Sequence, residues 1–91
     1  MRGDLMWYMY ILYSEKIDKY YVGYTDNLEK RLERHNSGWG RFTKPGIPWK
    51  IRYFEEYEQK SDAIKRERQI KKRKSRKCIL DFVQNAGGRP E

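Results

Sequence analysis

The stretch WYMYILYSEKIDKYYVGYT, Trp7–Thr25, decides how this chain folds. Trp7–Tyr13 and Tyr20–Thr25 are rich in aromatic and branched residues, and the polar SEKIDK lies between them, the composition of a β-hairpin. Six of the eight tyrosines fall within these 19 positions. Side chains alternate along a strand, so Tyr8, Tyr10 and Leu12 share one face, and Trp7, Met9, Ile11 and Tyr13 the other. Pairing Tyr13 with Tyr20 around the loop makes Tyr10 and Tyr21 project from one surface, with Gly23 beside them. A glycine there leaves room for close approach by another backbone or a ligand. The remaining tyrosines read as core and cross-strand packing.

Downstream, TDNLEKRLERHN changes to a helical period. Thr25 or Asp26 can cap that helix, Glu29 follows Asp26 as in a capping box, and Leu28 and Leu32 make one apolar stripe. The helix is expected to stop near Asn36, before Ser37-Gly38. GWGRFTKPGIPWK, residues 38–50, has loop composition, with Arg41, Lys44 and Lys50 interleaved among Trp39, Phe42 and Trp49. Strand character resumes over Ile51–Tyr57. A second helix runs from Ser61, and Ser75 caps a short third helix with Ile79, Leu80 and Val83 facing inward. The order ββαβαα predicts an α/β fold of the α+β type with a mainly antiparallel sheet. One domain is expected over 7–84, followed by a flexible tail over 85–91.

A chain of 91 residues is the size of one small domain, and its 15% aromatic content offsets a modest 37% apolar fraction. The formal charge of +8 points to a polyanion, nucleic acid above all. Cys78 stands alone, so neither a disulfide framework nor a cysteine zinc site is available, which suits a reducing cytoplasm. Cys78 itself reads as a small core-facing residue. No apolar run approaches the ~18 residues of a membrane span, and the N-terminus lacks the apolar block of a signal peptide. Met1–Leu5 adds no pattern, and the sequence does not decide between Met1 and Met6 as the start.

Several residues look out of place. On the second helix, Glu67 falls about 40° from Ala63, inside the arc that Ala63 and Ile70 define. A carboxylate there needs a partner: a salt bridge to a basic side chain, or a Mg²⁺ ion, which takes one or two carboxylates and keeps its other waters. Arg31 and His35, four apart on the first helix, flank its apolar stripe where side chains leave a core and line a groove. A cation beside a titratable imidazole at such an edge is a candidate site, and Arg34 reads as a looser phosphate contact. Residues 65–77, KRERQIKKRKSRK, hold nine basic residues and one acid. Part of that run is solvated helix surface, and part can neutralise phosphates.

Taken together, YMY at 8–10, YVG at 21–23, NLEKRLERHN at 27–36 and the helical Glu67 resemble the GIY-YIG nuclease family. The eleven-residue separation of Tyr10 and Tyr21 matches its two motif tyrosines, and Arg31, ten beyond Tyr21, falls where the family has its arginine. The first motif here lacks its glycine and keeps its tyrosine. With TKPGIPW and RERQIKK, the run from Trp7 to Arg76 is most similar to the small stand-alone bacterial members.

The resemblance implies a metal-dependent endonuclease on a three-stranded antiparallel sheet flanked by helices. It assigns Tyr10 as general base for water and Tyr21 to the scissile phosphate or its water network. Arg31 would stabilise charge on the phosphate, His35 would act as proton donor or hydrogen-bond partner, and Glu67 would be the lone protein ligand to one Mg²⁺ or Mn²⁺. A phenol of pKa ~10 is a poor base, and positive charge from Arg31 or the metal is expected to lower it. Gly23, Arg34, Arg41, Lys44, Lys71 and Lys72 are the expected nucleic-acid contacts, to DNA before RNA. No base-reading helix is evident, so structure rather than sequence should select the substrate, in DNA repair or processing. Without a second domain, targeting falls to that structure or to a protein partner, and the sequence gives no oligomeric state. The competing reading is a binding module for DNA or RNA that keeps the groove and cleaves weakly or not at all.

Overall fold

A computed structural model of the chain describes residues 6–38, 40, 41, 43–73 and 79. Strands β1 (Trp7–Ser14), β2 (Lys19–Thr25) and β3 (Trp49–Tyr57) form one antiparallel sheet in the order β2-β1-β3. Helix α1 (Leu28–Asn36) follows β2, and α2 (Lys60–Arg73) follows β3. The third helix expected after Ser75 and the tail beyond it lie outside the described residues, apart from a helical Ile79. Cys78, Trp39 and Phe42 lie outside them too.

The central position of β1 explains its unbroken apolar run. Met9, Tyr10, Ile11 and Leu12 are all buried, because each sheet face carries a helix. Each such side chain contributes ~1.5–3 kcal/mol by leaving water. Met9, Ile11 and Val22 pack with Ile70 of α2, while Tyr10, Leu12 and Trp49 pack with Leu28 and Leu32 of α1. Tyr13 does pair with Tyr20, so the expected hairpin register holds, and Tyr10 lies opposite Gly23. Against β3, Tyr10 lies opposite Phe54, and a register shift between Ile11 and Leu12 leaves Arg52 over the Tyr13 ring.

Element ends differ from expectation in small, explicable ways. The α1 cap is Asn27, whose side chain accepts from the Lys30 N–H, and not Thr25 or Asp26. The Thr25 hydroxyl is already used, because Oγ1 accepts from the Asn27 N–H at 3.1 Å in the turn before the helix. Strand β3 begins at Trp49 instead of Ile51, and α2 at Lys60 instead of Ser61. The early start of β3 follows from Asn36, which clamps Trp49 by accepting from its N–H at 2.6 Å and donating to its carbonyl at 3.1 Å. The Trp49 indole donates to the Thr43 carbonyl at 2.7 Å. Trp49 is therefore core, not part of a basic loop surface. A short 3-10 turn, Lys44–Gly46, runs under it. Among the described residues, no helix is long and apolar enough to cross a membrane.

Candidate active site

The site begins with a missing side chain. A Cβ on Gly23 would sit 2.6 Å from the Tyr10 hydroxyl oxygen and 2.8 Å from Tyr10 Cζ. The Tyr10 ring thus leans across β2 and fills the space that glycine leaves. The space expected for a close approach is occupied from within the chain by Tyr10, and Gly23 is buried. Tyr21 stands beside it on the same face, with ring centroids 6.3 Å apart.

Helix α1 supplies the next two groups. Because Leu28 and Leu32 turn toward the sheet, Arg31 and His35 emerge on the flank nearest the tyrosines. His35 is buried, with Nε2 3.2 Å from the Tyr10 hydroxyl. Its ring meets Tyr21 edge-on at 4.9 Å. The Arg31 guanidinium lies close enough to act on both the Tyr10 phenol and His35 as a neighbouring charge.

The fifth group comes from α2. Ala63 and Ile70 bury that helix against the sheet, and Glu67 emerges beside them with its side chain 13% exposed. Its Oε2 accepts a salt bridge from Lys71 Nζ at 2.8 Å, the basic-partner alternative among the two readings of this carboxylate. Lys71 also lies over the Tyr21 ring at 5.8 Å, and the Glu67 charge acts on Tyr10. Tyr10, Tyr21, Arg31, His35 and Glu67 are thus brought together from β1, β2, α1 and α2.

Charge at the centre follows burial. Desolvation, with the Tyr21 phenol adding to it, holds the Tyr10 hydroxyl well above the ordinary tyrosine value despite opposition from Arg31. Arg31 does lower it, as expected, but one partly solvated cation does not offset the loss of water around a phenolate, so burial sets the net direction. Burial, then Arg31 and Arg34, depress His35. In the neutral imidazole the tautomer sets the direction of this bond, and the form protonated at Nδ1 leaves Nε2 free to accept from Tyr10.

The only oxygen donor suited to a metal in this cluster is Glu67, and among the described residues no three His, Cys, Asp or Glu side chains gather around one point. A single hard carboxylate already facing an ammonium fits a hydrated ion such as Mg²⁺ or Mn²⁺. It does not fit zinc, which takes three or four protein ligands.

The expected nucleic-acid residues divide. Lys71 belongs to the cluster, and Arg34 lies on the same helix as His35, exposed and close enough to act on it. Arg41 and Lys44 are exposed at the turn before β3. Lys72 points elsewhere, lining an open groove on the outer side of α2 with Ile64, Lys65 and Arg68. Helical spacing accounts for this, since Lys72 falls about 180° from Ala63.

A second cluster was not legible in the sequence. Glu55 of β3 accepts from the hydroxyls of Tyr53 and Tyr57 and from a fork of Arg66, Nε at 2.9 Å and Nη2 at 3.2 Å. The only signal was the alternation of Tyr53, Glu55 and Tyr57 on the inward side of β3.

The sequence profile described as the GIY-YIG catalytic domain matches residues 6–78. The UPF0213 protein of Streptococcus pyogenes serotype M3 is 41% identical over 78 residues, covering 84% of this chain and 83% of that protein. Its counterpart in serotype M1 matches at the same identity and coverage. The solution NMR structure of the UPF0213 protein from Bacillus halodurans is similar with a TM-score of 0.58 and 28% identity, over 93% of this chain and 89% of that one.

Proposed function

Because the chain belongs to the GIY-YIG nuclease family, alongside the small single-domain UPF0213 proteins of bacteria, we propose that it is a metal-dependent endonuclease that hydrolyses DNA phosphodiester bonds. The observation that carries this reading is the Tyr10 hydroxyl held 3.2 Å from a neutral His35 Nε2, with Arg31 beside both. Tyr10 does not need to exist as a phenolate. Water attacking phosphorus gives its proton to the Tyr10 oxygen as Tyr10 passes its own to His35, so the phenol stays neutral throughout. The P–O bond to the leaving nucleotide breaks in the same displacement. Arg31 stabilises the charge that develops on the non-bridging oxygens. Tyr21 holds the His35 ring and borders the phosphate.

Glu67 would hold one Mg²⁺ or Mn²⁺, with water and phosphate oxygens as the remaining ligands. When bound, the ion neutralises phosphate and leaving-group charge. Lys71, released from Glu67, then faces the DNA backbone with Arg34, Arg41 and Lys44. Among the described residues both α-helices pack on the sheet, and we read selection as being by DNA structure, as in repair or processing, with a protein partner able to add targeting. We place the protein in the cytoplasm, where a lone cysteine stays reduced.

The test is cleavage of labelled single-stranded, duplex and branched DNA with Mg²⁺ or Mn²⁺, comparing wild type with Glu67→Ala and Tyr10→Phe. Metal-dependent cutting lost in both variants is expected. No cutting by wild type, or equal cutting by Glu67→Ala, defeats the enzyme reading. A second reading is favoured by the raised Tyr10: a module that binds DNA or RNA in the same groove without cleaving. Intact binding of these substrates with no cutting selects it.

A further inference from the structure

The Glu55–Arg66 cluster lies outside the active site, yet Arg66 immediately precedes Glu67 on α2. Helix α2 meets the sheet through Ala63 and Ile70, both essentially buried. Apolar contact of that kind is non-directional and leaves the helix free to roll about its axis. Arg66 and Glu67 stand on the two flanks of that contact line, about 60° to one side of Ala63 and about 40° to the other. Arg66 reaches toward β3, where both its Nε and its Nη2 bond the Glu55 carboxylate. The same carboxylate accepts the hydroxyls of Tyr53 and Tyr57, so its direction is fixed from the sheet side as well. Arg66 Nη1 donates to Gln69 Oε1 at 3.2 Å, which ties the guanidinium plane back to its own helix.

We propose that Glu55 and Arg66 are a positioning pair: their planar fork fixes the roll of α2, and the roll sets where the Glu67 carboxylate stands relative to Tyr10 and Tyr21. A planar, bidentate contact resists rotation in a way a point charge does not. With side chains reaching ~5–6 Å from a helix axis, a roll of about 10° carries the Glu67 oxygens ~1 Å. A displacement of that size costs on the order of 100-fold in a reaction that depends on placement. The demand is acute here because, among the described residues, no group of three His, Cys, Asp or Glu side chains gathers around one point to share the task. The purpose assigned to Glu67 rests on the nuclease reading; the control of α2 roll does not.

The experiment compares wild type with Arg66→Lys, which keeps the charge and loses the fork. Tyr57→Phe removes one donor from Glu55 and leaves the fork in place. Ring resonances of Tyr21 are followed by NMR, alone and with Mn²⁺ added, since paramagnetic broadening reports the distance from Glu67 to that ring. For Arg66→Lys, folded by its amide spectrum, we expect displaced Tyr21 signals and a changed broadening pattern. Cleavage should fall ~10–100-fold in kcat with KM for DNA within about twofold. Tyr57→Phe, which keeps the fork and the Tyr53 bond, should change each of these less than Arg66→Lys does. Unchanged Tyr21 signals and broadening in Arg66→Lys overturn the proposal, as does an equal change in Tyr57→Phe. If Arg66→Lys does not fold, Glu55→Gln takes its place, and failure of both to fold shows the pair to be structural and overturns the proposal. If wild type cuts no DNA while Arg66→Lys still displaces the Tyr21 signals, control of the roll stands and the nuclease reading falls.

Discussion

Replacing Gly23 by alanine should disable the site without touching any group that does chemistry. The added Cβ would stand 2.6 Å from the Tyr10 oxygen, 2.8 Å from its Cζ and 3.2 Å from Tyr21 Cε2. Ordinary van der Waals contact begins at 3.4 Å, so the Tyr10 ring must retreat by about 0.6–0.8 Å. Tyr10 has nowhere easy to go, being 1% exposed and hydrogen-bonded to His35. Overpacking of this kind costs ~1–3 kcal/mol, and each kcal/mol lowers Tm by ~4–8 °C in a chain of this size. The same displacement opens the Tyr10–His35 bond beyond a normal hydrogen bond and should cut metal-dependent cleavage ~10–100-fold. Thermal melting and cleavage at 20 °C, where the variant is still folded, separate the two effects. Tyr10→Phe removes the nearest atom, so in the double variant the penalties should fall short of additive by ~0.5–3 kcal/mol. Wild-type stability and wild-type cleavage in Gly23→Ala would falsify the packing on which the site is built.

Other expectations follow from the same geometry. Lys71→Gln removes the ammonium that occupies Glu67, so half-saturation by Mg²⁺ should move to lower concentration while DNA affinity weakens and its salt dependence becomes shallower by about one phosphate contact; an unchanged metal titration would show that Lys71 does not compete for the carboxylate. Depression of His35 below its ordinary 6.5 keeps it an acceptor in mildly acidic solution, so the acid limb of kcat/KM should lie below 6.5, and Arg34→Gln should move it upward. In stability, the unfolded chain binds this proton more readily than the folded one, so the His35 contribution is complete above 6.5 and is lost as pH falls through the folded value; melts from pH 7 to 4 in wild type and His35→Gln test that sign. Asn36→Ala leaves the Trp49 N–H without its acceptor and should cost ~1–3 kcal/mol in chemical denaturation, whereas a cost near zero would mean β3 starts without its clamp.

The legible part of the molecule was whatever depends on period and spacing. Alternation along β1 and β2, with Tyr13 paired to Tyr20 around the loop, gave the register and put Tyr10 and Tyr21 on one face, because successive side chains on a strand point to opposite faces. Glu67 stood out because a charge inside an apolar arc is rare. What depends on the surroundings in three dimensions was not legible. Thr25, Asp26 and Asn27 are all capable caps, and only the prior use of the Thr25 hydroxyl decides for Asn27. The space over Gly23 could be inferred, but not that Tyr10 itself fills it. The proximity of Arg31 to Tyr10 could be inferred as well, but the depth of burial that outweighs it could not. Arg66 was hidden in a run with eight other basic residues, so nothing marked it as the partner of Glu55.

Arg31 is the group that joins these observations. Its charge favours ionisation of Tyr10 and disfavours protonation of His35, so in the free protein it drives a proton out of the pair from both ends. Burial opposes it at Tyr10 and reinforces it at His35. A phosphate arriving at Arg31 neutralises part of that charge, and the His35 pKa must then rise. The imidazole becomes a better base only once there is a phosphodiester to cut, because the substrate removes the charge that was holding the base weak. The acid limb of kcat, which reports the bound state, should therefore lie above that of kcat/KM, which reports the free protein. Arg31→Gln should abolish the gap between the two limbs even where residual cleavage remains measurable. Coincident limbs in the wild type would mean that Arg31 does not couple phosphate to His35, and the proton path through Tyr10 would need another acceptor.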